Sequence, residues 1–316
     1  MTPDPGALFL TVAHREALAG LSYAIMERKG FVLLVGEAGT GKTTLLRRLL
    51  EVAREANAQT CVVLNPTLTP SEFLELLLYN FGIKDFPVSK ARRLILLEEM
   101  LVAAHLEGKA PVLVIDEAHK LNFEVLEEIR LLTNFETKDQ KLLQIVLAGQ
   151  PELNEIFNRQ ELWQLKQRVA IRLRIDALTR KQVDDYLVYR WVKIGGAQLL
   201  PFTDDAISLI MKWSRGIPRL VNSICDNALL LAFGNNTRVI GHGIIQEVVR
   251  DLDLKQGPGF EHAPAAAEIT EPKPLPVPII VPDAIAKPFT FATLDRYTRP
   301  EPKPFFLQRW TARLRA

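Results

Sequence analysis

A glycine-rich stretch lies between the apolar run 31–35 and the leucine-rich segment 45–50. It matches the pattern G-x-x-x-x-G-K-[ST] and comprises Gly36, Glu37, Ala38, Gly39, Thr40, Gly41, Lys42 and Thr43, followed by Thr44. Glycines allow backbone N–H groups to converge on phosphate oxygens, which a side chain would obstruct. Lys42 would reach the β- and γ-phosphates, and the Thr43 hydroxyl would bind Mg²⁺. The pattern therefore predicts a nucleoside triphosphate site.

An acidic pair, Asp116 and Glu117, directly follows the apolar run 111–115. A triphosphate site needs a carboxylate that holds Mg²⁺ through water and a base that orients the attacking water. Asp116 would face the metal bound by Thr43, and Glu117 would align or deprotonate the water. Acidic pairs at strand ends are often only solvated, but a phosphate loop 73 residues upstream favours the catalytic interpretation.

Two amide side chains, Asn65 and Gln150, each come just after an apolar, strand-like run. Parallel strands end at the same edge of a sheet, so both amides should flank the phosphates. Gln150 would donate a hydrogen bond to the γ-phosphate or the water, and Asn65 would hold Glu117 away from the water until a partner binds. Turn formation is the competing interpretation for each amide.

Arginines could stabilise the charge that develops on a γ-phosphate, because the guanidinium is planar and always protonated. The candidates are Arg168 before the fifth strand-like run, Arg172 and Arg174 within it, and Arg219 in the sequence Gly-Ile-Pro-Arg. A solvated surface position is the competing interpretation, and it applies most to the alternating pair Arg172 and Arg174.

The elements that must position these residues form a regular pattern. Five strand-like runs (31–35, 61–64, 111–115, 143–147 and 171–175) alternate with helical segments, one of which Ser71 is expected to cap. This predicts an α/β fold in which helices cover both faces of a five-stranded parallel sheet. We expect a nucleotide-binding domain over residues 1–178 and a small all-helical lid over 179–254.

Residues 255–316 have a different composition, with 11 of the 20 prolines and almost no apolar periodicity. This predicts a disordered tail. In the final stretch, 305–315, Leu307, Trp310 and Leu314 would share one side of a helix beside arginines. That composition is typical of a helix that binds a membrane surface or a partner's groove, and a sticky disordered end is the competing interpretation.

Composition limits the other possibilities. The formal net charge of +2 is too small to indicate a polyanionic partner by itself. The two cysteines, Cys61 and Cys225, lie in apolar runs without metal-ligand spacing, which favours a reducing compartment. The sequence shows neither a signal-peptide pattern nor an apolar run near the ~20 residues that a membrane span needs. We therefore expect a cytoplasmic protein, or one peripheral at the inner membrane.

Five motifs occur here in the order in which AAA+ ATPases carry them. They are Gly-Glu-x-Gly-x-Gly-Lys-Thr-Thr, Val-Ile-Asp-Glu-Ala, Leu-Ala-Gly-Gln-Pro-Glu-Leu, Gln-Arg-Val-Ala and Gly-Ile-Pro-Arg-Leu. Over residues 2–252 the chain most resembles the ATPase domain of the ExeA/GspA type, from general secretion pathways. The resemblance implies an ATP- and Mg²⁺-dependent core with a helical lid.

The same resemblance implies roles for four residues. Arg219 corresponds to the lid's sensor arginine, Gln150 to the first sensor and Asn65 to the switch residue. Arg168 corresponds to the finger offered to a neighbouring subunit, so a ring or filament of identical chains is expected. Family members usually carry an aromatic-rich segment before Thr-Pro-Asp-Pro, so the natural start is expected further upstream. The secretion proteins continue into a transmembrane helix and a peptidoglycan-binding domain, so the resemblance supports the ATPase more than the secretion role.

Three functions fit these features. The first is an ATPase whose hydrolysis drives assembly or remodelling of a membrane-associated secretion or exopolysaccharide system. The second is a DNA-associated regulator like transposition-helper ATPases, which the eight basic and three acidic residues of 164–193 favour; no zinc finger or DNA-reading helix supports it. The third is a nucleotide-dependent scaffold without hydrolysis, which has no need of Glu117.

Overall fold

The computed structural model describes residues 9–64, 66–84, 87–196 and 199–254. Its centre is a parallel sheet of five strands, which confirms the predicted fold class. The strands are β1 (Phe31–Gly36), β2 (Thr60–Val63), β3 (Val112–Ile115), β4 (Gln144–Gly149) and β5 (Ile171–Ile175). Their order across the sheet is β2-β3-β4-β1-β5.

The strand register aligns the carboxyl ends of the strands. Gly36 at the end of β1 pairs with Ile175 of β5, and its neighbour Val35 pairs with Gly149 of β4. Ile115 of β3 pairs with both Val63 of β2 and Leu147 of β4. The segments that follow β1, β3 and β4 therefore leave the sheet at one edge, where ligands bind in open α/β sheets.

Within the described residues, seven helices accompany the sheet. They are α1 (Val12–Met26), α2 (Lys42–Glu55), α3 (Pro70–Asn80), α4 (Lys90–Leu106), α5 (Phe123–Leu132), α6 (Glu152–Phe157) and α7 (Trp163–Gln167). Alternate residues of β1 enter two different cores: Leu33 packs with Phe73 and Leu97 on one face, and Leu34 packs with Leu45 on the other. Burial on both faces explains why the strands are continuous apolar runs.

Two local expectations were wrong. The cap of α3 is Thr69, not Ser71: the Thr69 hydroxyl accepts the backbone N–H of Glu72, whose carboxylate in turn accepts the Thr69 N–H. Pro70 then occupies the first turn, where its missing N–H costs nothing. The sequence also predicts a single helix through Leu165, whereas the structure has two short helices, α6 and α7, separated by a 3-10 turn, Gln160–Leu162.

Four further helices follow the sheet in the part of the chain that the structure describes. They are α8 (Arg180–Lys193), α9 (Asp204–Ser214), α10 (Pro218–Gly234) and α11 (His242–Asp251). Among the described residues, 9–190 with 210–226 form one compact unit, and 191–209 with 227–254 form a second. The expected domain boundaries at residues 178 and 254 stay predictions.

Several sequence predictions fall on residues outside this description. They concern Asn65, the tail 255–316 and its basic end 305–315. Within the described ranges, no helix has the length and apolarity required to cross a membrane. Cys61 and Cys225 are both buried as free thiols, as expected.

Candidate active site

The phosphate loop connects β1 to α2, whose first residue is Lys42. Gly39 and Gly41 have φ angles of 85° and 103°, a left-handed conformation that side-chain-bearing residues rarely adopt. Gly36 is needed for a different reason, since a Cβ there would lie 2.5 Å from the Ile175 carbonyl oxygen. The motif glycines thus set the loop's shape and its close approach to β5.

Lys42 is buried within this loop, with 4% of its surface exposed. Its Nζ donates hydrogen bonds to the carbonyl oxygens of Gly36, at 2.7 Å, and Glu37, at 2.9 Å. Burial lowers the pKa of the Lys42 ammonium, and nearby carboxylates, Asp116 first among them, oppose that shift. The Lys42 ammonium is therefore desolvated within the phosphate loop, where its electrostatic attraction for a phosphate would be strong.

Thr43 and Asp116 come together from α2 and the end of β3. The Thr43 hydroxyl donates to Asp116 Oδ2 at 2.6 Å, and Asp116 Oδ1 accepts the backbone N–H of Glu117 at 2.9 Å. Both side chains offer the oxygen ligands that Mg²⁺ prefers. No cluster of three or more His, Cys, Asp or Glu side chains suited to a metal occurs in the described residues. These donors fit an ion that phosphate oxygens and water also coordinate, the usual arrangement for Mg²⁺.

His119, which the sequence did not single out, lies between Glu117 and Gln150. His119 Nε2 is 3.5 Å from Glu117 Oε2 and 3.1 Å from Gln150 Nε2. Lys120 Nζ is also 3.5 Å from Glu117 Oε2. Glu117 has a φ of 53° and precedes the 3-10 turn Ala118–Lys120, which brings these side chains to the ends of β3 and β4. No sequence pattern signals this contact.

A second missed residue, His14, supports the phosphate loop from α1. His14 Nε2 is 2.9 Å from the Thr40 carbonyl oxygen, and Nδ1 is 2.6 Å from the hydroxyl of Thr11. A carbonyl can only accept, so Nε2 carries the proton and the Thr11 hydroxyl donates to Nδ1. Burial lowers the pKa of His14, and the bond with Thr40 partly offsets this. His14 is thus a neutral donor that fixes the loop backbone.

The segment around Arg219 also contacts the loop. The Arg219 backbone N–H donates to the Gly39 carbonyl oxygen at 3.3 Å, and Pro218 is the first residue of α10. A Cβ on Gly39 would lie 2.6 Å from the Arg219 Cβ. The Arg219 side chain is exposed. The structure therefore brings this arginine beside the phosphate loop.

Arg168 is the C-cap residue of α7, and its side chain is exposed. It precedes Ile171, which pairs with Val32 at the amino end of β1, whereas the phosphate loop leaves the carboxyl end at Gly36. At about 3.3 Å per residue, this separates the two ends by roughly 13 Å. The pKa of Glu136 is lowered mainly by Lys141 and to a smaller extent by the charge of Arg168. Arg168 is not part of its own chain's phosphate site.

The remaining loop positions have simpler roles. Glu37 and Ala38 are exposed, and Thr44 is half-buried in the first turn of α2. The Thr40 hydroxyl donates to the Glu37 carbonyl oxygen at 2.8 Å, which tightens the loop. Arg172 and Arg174 are exposed on β5, and Arg174 pairs with Asp176 at 2.5 Å.

Part of the chain matches a known protein family. Residues 25–157 match the family described as AAA domain. This part of the chain resembles an AAA domain. General secretion pathway protein A of Aeromonas hydrophila is 41% identical over 249 residues, which cover 78% of this chain and 45% of that protein. The resemblance to the ExeA/GspA type is confirmed, and the chain spans less than half of that relative's length.

One further protein resembles this chain in sequence, and one solved structure resembles it in fold. The ATP-dependent target DNA activator B of Escherichia phage Mu is 27% identical over 261 residues, covering 80% of this chain and 75% of that protein. The crystal structure of Cdc6p from Pyrobaculum aerophilum superposes with a TM-score of 0.60 at 19% identity, covering 78% of this chain and 68% of that one. At that identity the likeness concerns the fold alone.

The AAA domain match includes the phosphate loop, Asp116, Glu117 and Gln150, but it excludes His14, Arg168 and Arg219. The family match and the geometry of the loop both support nucleotide binding. The individual catalytic roles of the site residues stay predictions.

Proposed function

We propose that the protein binds ATP together with Mg²⁺ and hydrolyses it. The observation that carries this proposal is the 2.6 Å hydrogen bond between the Thr43 hydroxyl and the Asp116 carboxylate. It joins two oxygen ligands from separate elements, directly beside the buried ammonium of Lys42. A glycine-rich turn without a phosphate-binding role does not require these three groups to lie together.

The chain's own residues divide the work of hydrolysis. Lys42 exchanges its bonds with loop carbonyls for bonds with the β- and γ-phosphate oxygens, and Thr43 with Asp116 holds the metal. Mg²⁺, when bound, neutralises charge on the phosphate oxygens. Glu117 orients the attacking water and accepts its proton, and Gln150 donates to the γ-phosphate or that water. The lid arginine Arg219, beside Gly39, senses the phosphate end of the nucleotide, and Asn65 acts as the switch residue.

We further propose that Arg168 acts on a neighbouring subunit's nucleotide. Two observations support this: its side chain is exposed, and the strand register separates it from its own loop. A head-to-tail ring or filament of identical chains brings such an arginine to the next site, so complete active sites form only between subunits.

Mixing inactive variants tests this arrangement. Arg168→Ala should bind ATP normally yet hydrolyse it roughly 10³–10⁵-fold more slowly, the range measured for arginine fingers. Lys42→Ala has the opposite defect, a pocket without ATP affinity but an intact finger. A mixture should regain part of the activity, because some interfaces pair a good pocket with a good finger.

Arg174→Ala is the matched control, since it removes another exposed arginine of the same region. It should leave turnover unchanged. If the mixture stays inactive while the two variants co-assemble, or if Arg168→Ala alone keeps full turnover, the arginine does not act between subunits.

The process driven by hydrolysis is proposed to be assembly or remodelling of a membrane-associated secretion or exopolysaccharide system, with the protein in the cytoplasm or peripheral at the inner membrane. The 41% identity to a protein named for general secretion supports this. The alternative is a DNA-associated regulator, supported by the 27% identity to an ATP-dependent target DNA activator and by the exposed Arg168, Arg172 and Arg174.

ATP hydrolysis by the full chain distinguishes the two processes. It would be measured alone, with double-stranded DNA, and with vesicles containing anionic lipid. Stimulation by vesicles and not by DNA supports the membrane-associated role. Stimulation by DNA that weakens steeply as salt rises favours the DNA-associated regulator, because phosphate contacts release counterions.

A further inference from the structure

His119 lies between the two side chains expected to act on the attacking water. Its Nε2 is 3.1 Å from the amide nitrogen of Gln150 and 3.5 Å from Glu117 Oε2. Its Nδ1 is 3.4 Å from the Gln150 backbone nitrogen. Only 13% of the His119 side chain is exposed, whereas Lys120, the other cation near Glu117, is 54% exposed and screened by water.

The positions of the protons on His119 follow from its neighbours. The backbone N–H of Gln150 can only donate, so Nδ1 must be the acceptor. A neutral imidazole has one donor and one acceptor nitrogen, so the proton is on Nε2. A doubly protonated ring would place an N–H on Nδ1 against the N–H of Gln150. His119 therefore donates from Nε2.

This donor determines the orientation of the Gln150 amide. An N–H at Nε2 cannot bond to an amide N–H₂ group, but it can bond to the amide oxygen. Amide oxygen and nitrogen have nearly the same shape, so their assignment follows from the hydrogen-bond partners. Rotating the amide by half a turn places Oε1 against His119 and directs the N–H₂ group away from it.

We propose that His119 is a positioning residue that fixes the Gln150 amide, beside the Glu117 carboxylate, with its N–H₂ group available to the γ-phosphate or the attacking water. The inference rests on the proposed ATP hydrolysis. It names a residue that neither the motifs nor the AAA domain match assigns to catalysis.

The backbone is shaped to bring His119 to this place. Glu117 has a left-handed φ of 53°, a conformation that non-glycine residues rarely adopt. The turn that follows passes so close to β4 that a Cβ on Gly149 would lie 3.2 Å from the His119 backbone nitrogen. Both features bring the histidine at the end of β3 towards Gln150 at the end of β4.

Steady-state ATP hydrolysis by the full chain tests the role of His119. His119→Ala should lower kcat about tenfold to a hundredfold, because a misplacement of about 1 Å costs up to roughly a hundredfold. KM should stay within about twofold, because Lys42 and Thr43 still hold the phosphates. His119→Gln keeps an N–H donor of similar reach and should recover most of the loss.

A double-variant comparison separates positioning from general damage. Gln150→Ala should also lower kcat, and adding it to His119→Ala should cause little further loss, because both changes disable the same amide. His105→Ala, which removes a half-buried histidine bonded to Arg28, is the control and should leave kcat unchanged. Melting temperatures of all variants report on folding.

Three results would overturn the role of His119. They are full kcat in His119→Ala, losses that multiply in the double variant, and an equal loss in His105→Ala. The proposed hydrolysis is tested separately by Glu117→Gln. If wild type hydrolyses ATP, Glu117→Gln does not, and His119→Ala is fully active, then only the role of His119 fails.

Discussion

Replacing His14 by alanine would remove the donor that holds the phosphate loop from behind. The Thr40 carbonyl would lose its partner within a residue that has no exposed surface. An unsatisfied buried polar group costs about 1–3 kcal/mol, and lost packing of a side chain only 3% exposed adds on the order of 1 kcal/mol. We expect a loss of about 2–4 kcal/mol in the free energy of unfolding, or roughly 5–15 °C in Tm.

The same change should weaken nucleotide binding, since the loop backbone loses its fixed conformation. A cost of about 1.4 kcal/mol in binding corresponds to a tenfold higher Kd for ATP, which calorimetry measures directly. His14→Gln retains an N–H donor of similar reach and should recover most of both losses.

Gln144→Ala provides a control with a similar expected loss in the free energy of unfolding. Gln144 lies at the amino end of β4, whereas the phosphate loop lies at the carboxyl ends of the strands. The Gln144 side chain accepts the Gly30 N–H at 2.8 Å and donates to the Lys141 carbonyl, so its removal also orphans a buried backbone group. It should lower Tm without changing the Kd for ATP. If His14→Ala lowered Tm as far as Gln144→Ala did and bound ATP as tightly as wild type, the bond to Thr40 would support the fold alone.

Three further outcomes are expected. Since burial lowers the pKa of His14 below its ordinary value of 6.5, the unfolded chain binds more protons, and stability should fall as the pH decreases below that value; unfolding at about pH 7.5 and about pH 5.5 should show a smaller decrease for His14→Gln than for wild type. Glu117→Gln should bind ATP normally but hydrolyse it about a hundredfold more slowly or worse, because an amide cannot accept the water's proton; near-normal turnover would assign the base elsewhere. Gly216→Ala should cost several kcal/mol, since φ is 72° and the Cβ would overlap the Leu178 carbonyl, whereas Gly82→Ala, at φ 91° in open space, should cost only about 1–2 kcal/mol; equal melting temperatures would contradict the steric argument.

The sequence predicts the phosphate-binding part of the site because the residues that bind phosphate are consecutive in the chain. Lys42 and Thr43 follow the glycines, and Asp116 follows its strand, so the rule that parallel strands end together suffices to bring them to one edge. The cap of α3 was predictable in principle, because Pro70 in the first turn favours Thr69 over Ser71.

The histidines of the site could not be predicted in the same way. His14 meets the phosphate loop 26 residues later, and His119 meets Gln150 31 residues later. Neither pair belongs to a periodic pattern or a motif. Each depends on the packing of α1 against the loop or on the backbone turn at Glu117, and both are settled only when the chain is folded.

The edge strand β5 has a consequence for how copies of this chain can associate. On one face, Ile171 and Leu173 pack into the core beneath α1, and Gly20 of that helix allows the close approach. Arg172 and Arg174 occupy the other face and are exposed. Charged side chains on an edge strand discourage it from adding to another sheet, a common route to aggregation. Copies of the chain are therefore expected to join through side-chain surfaces and not by extending the sheet.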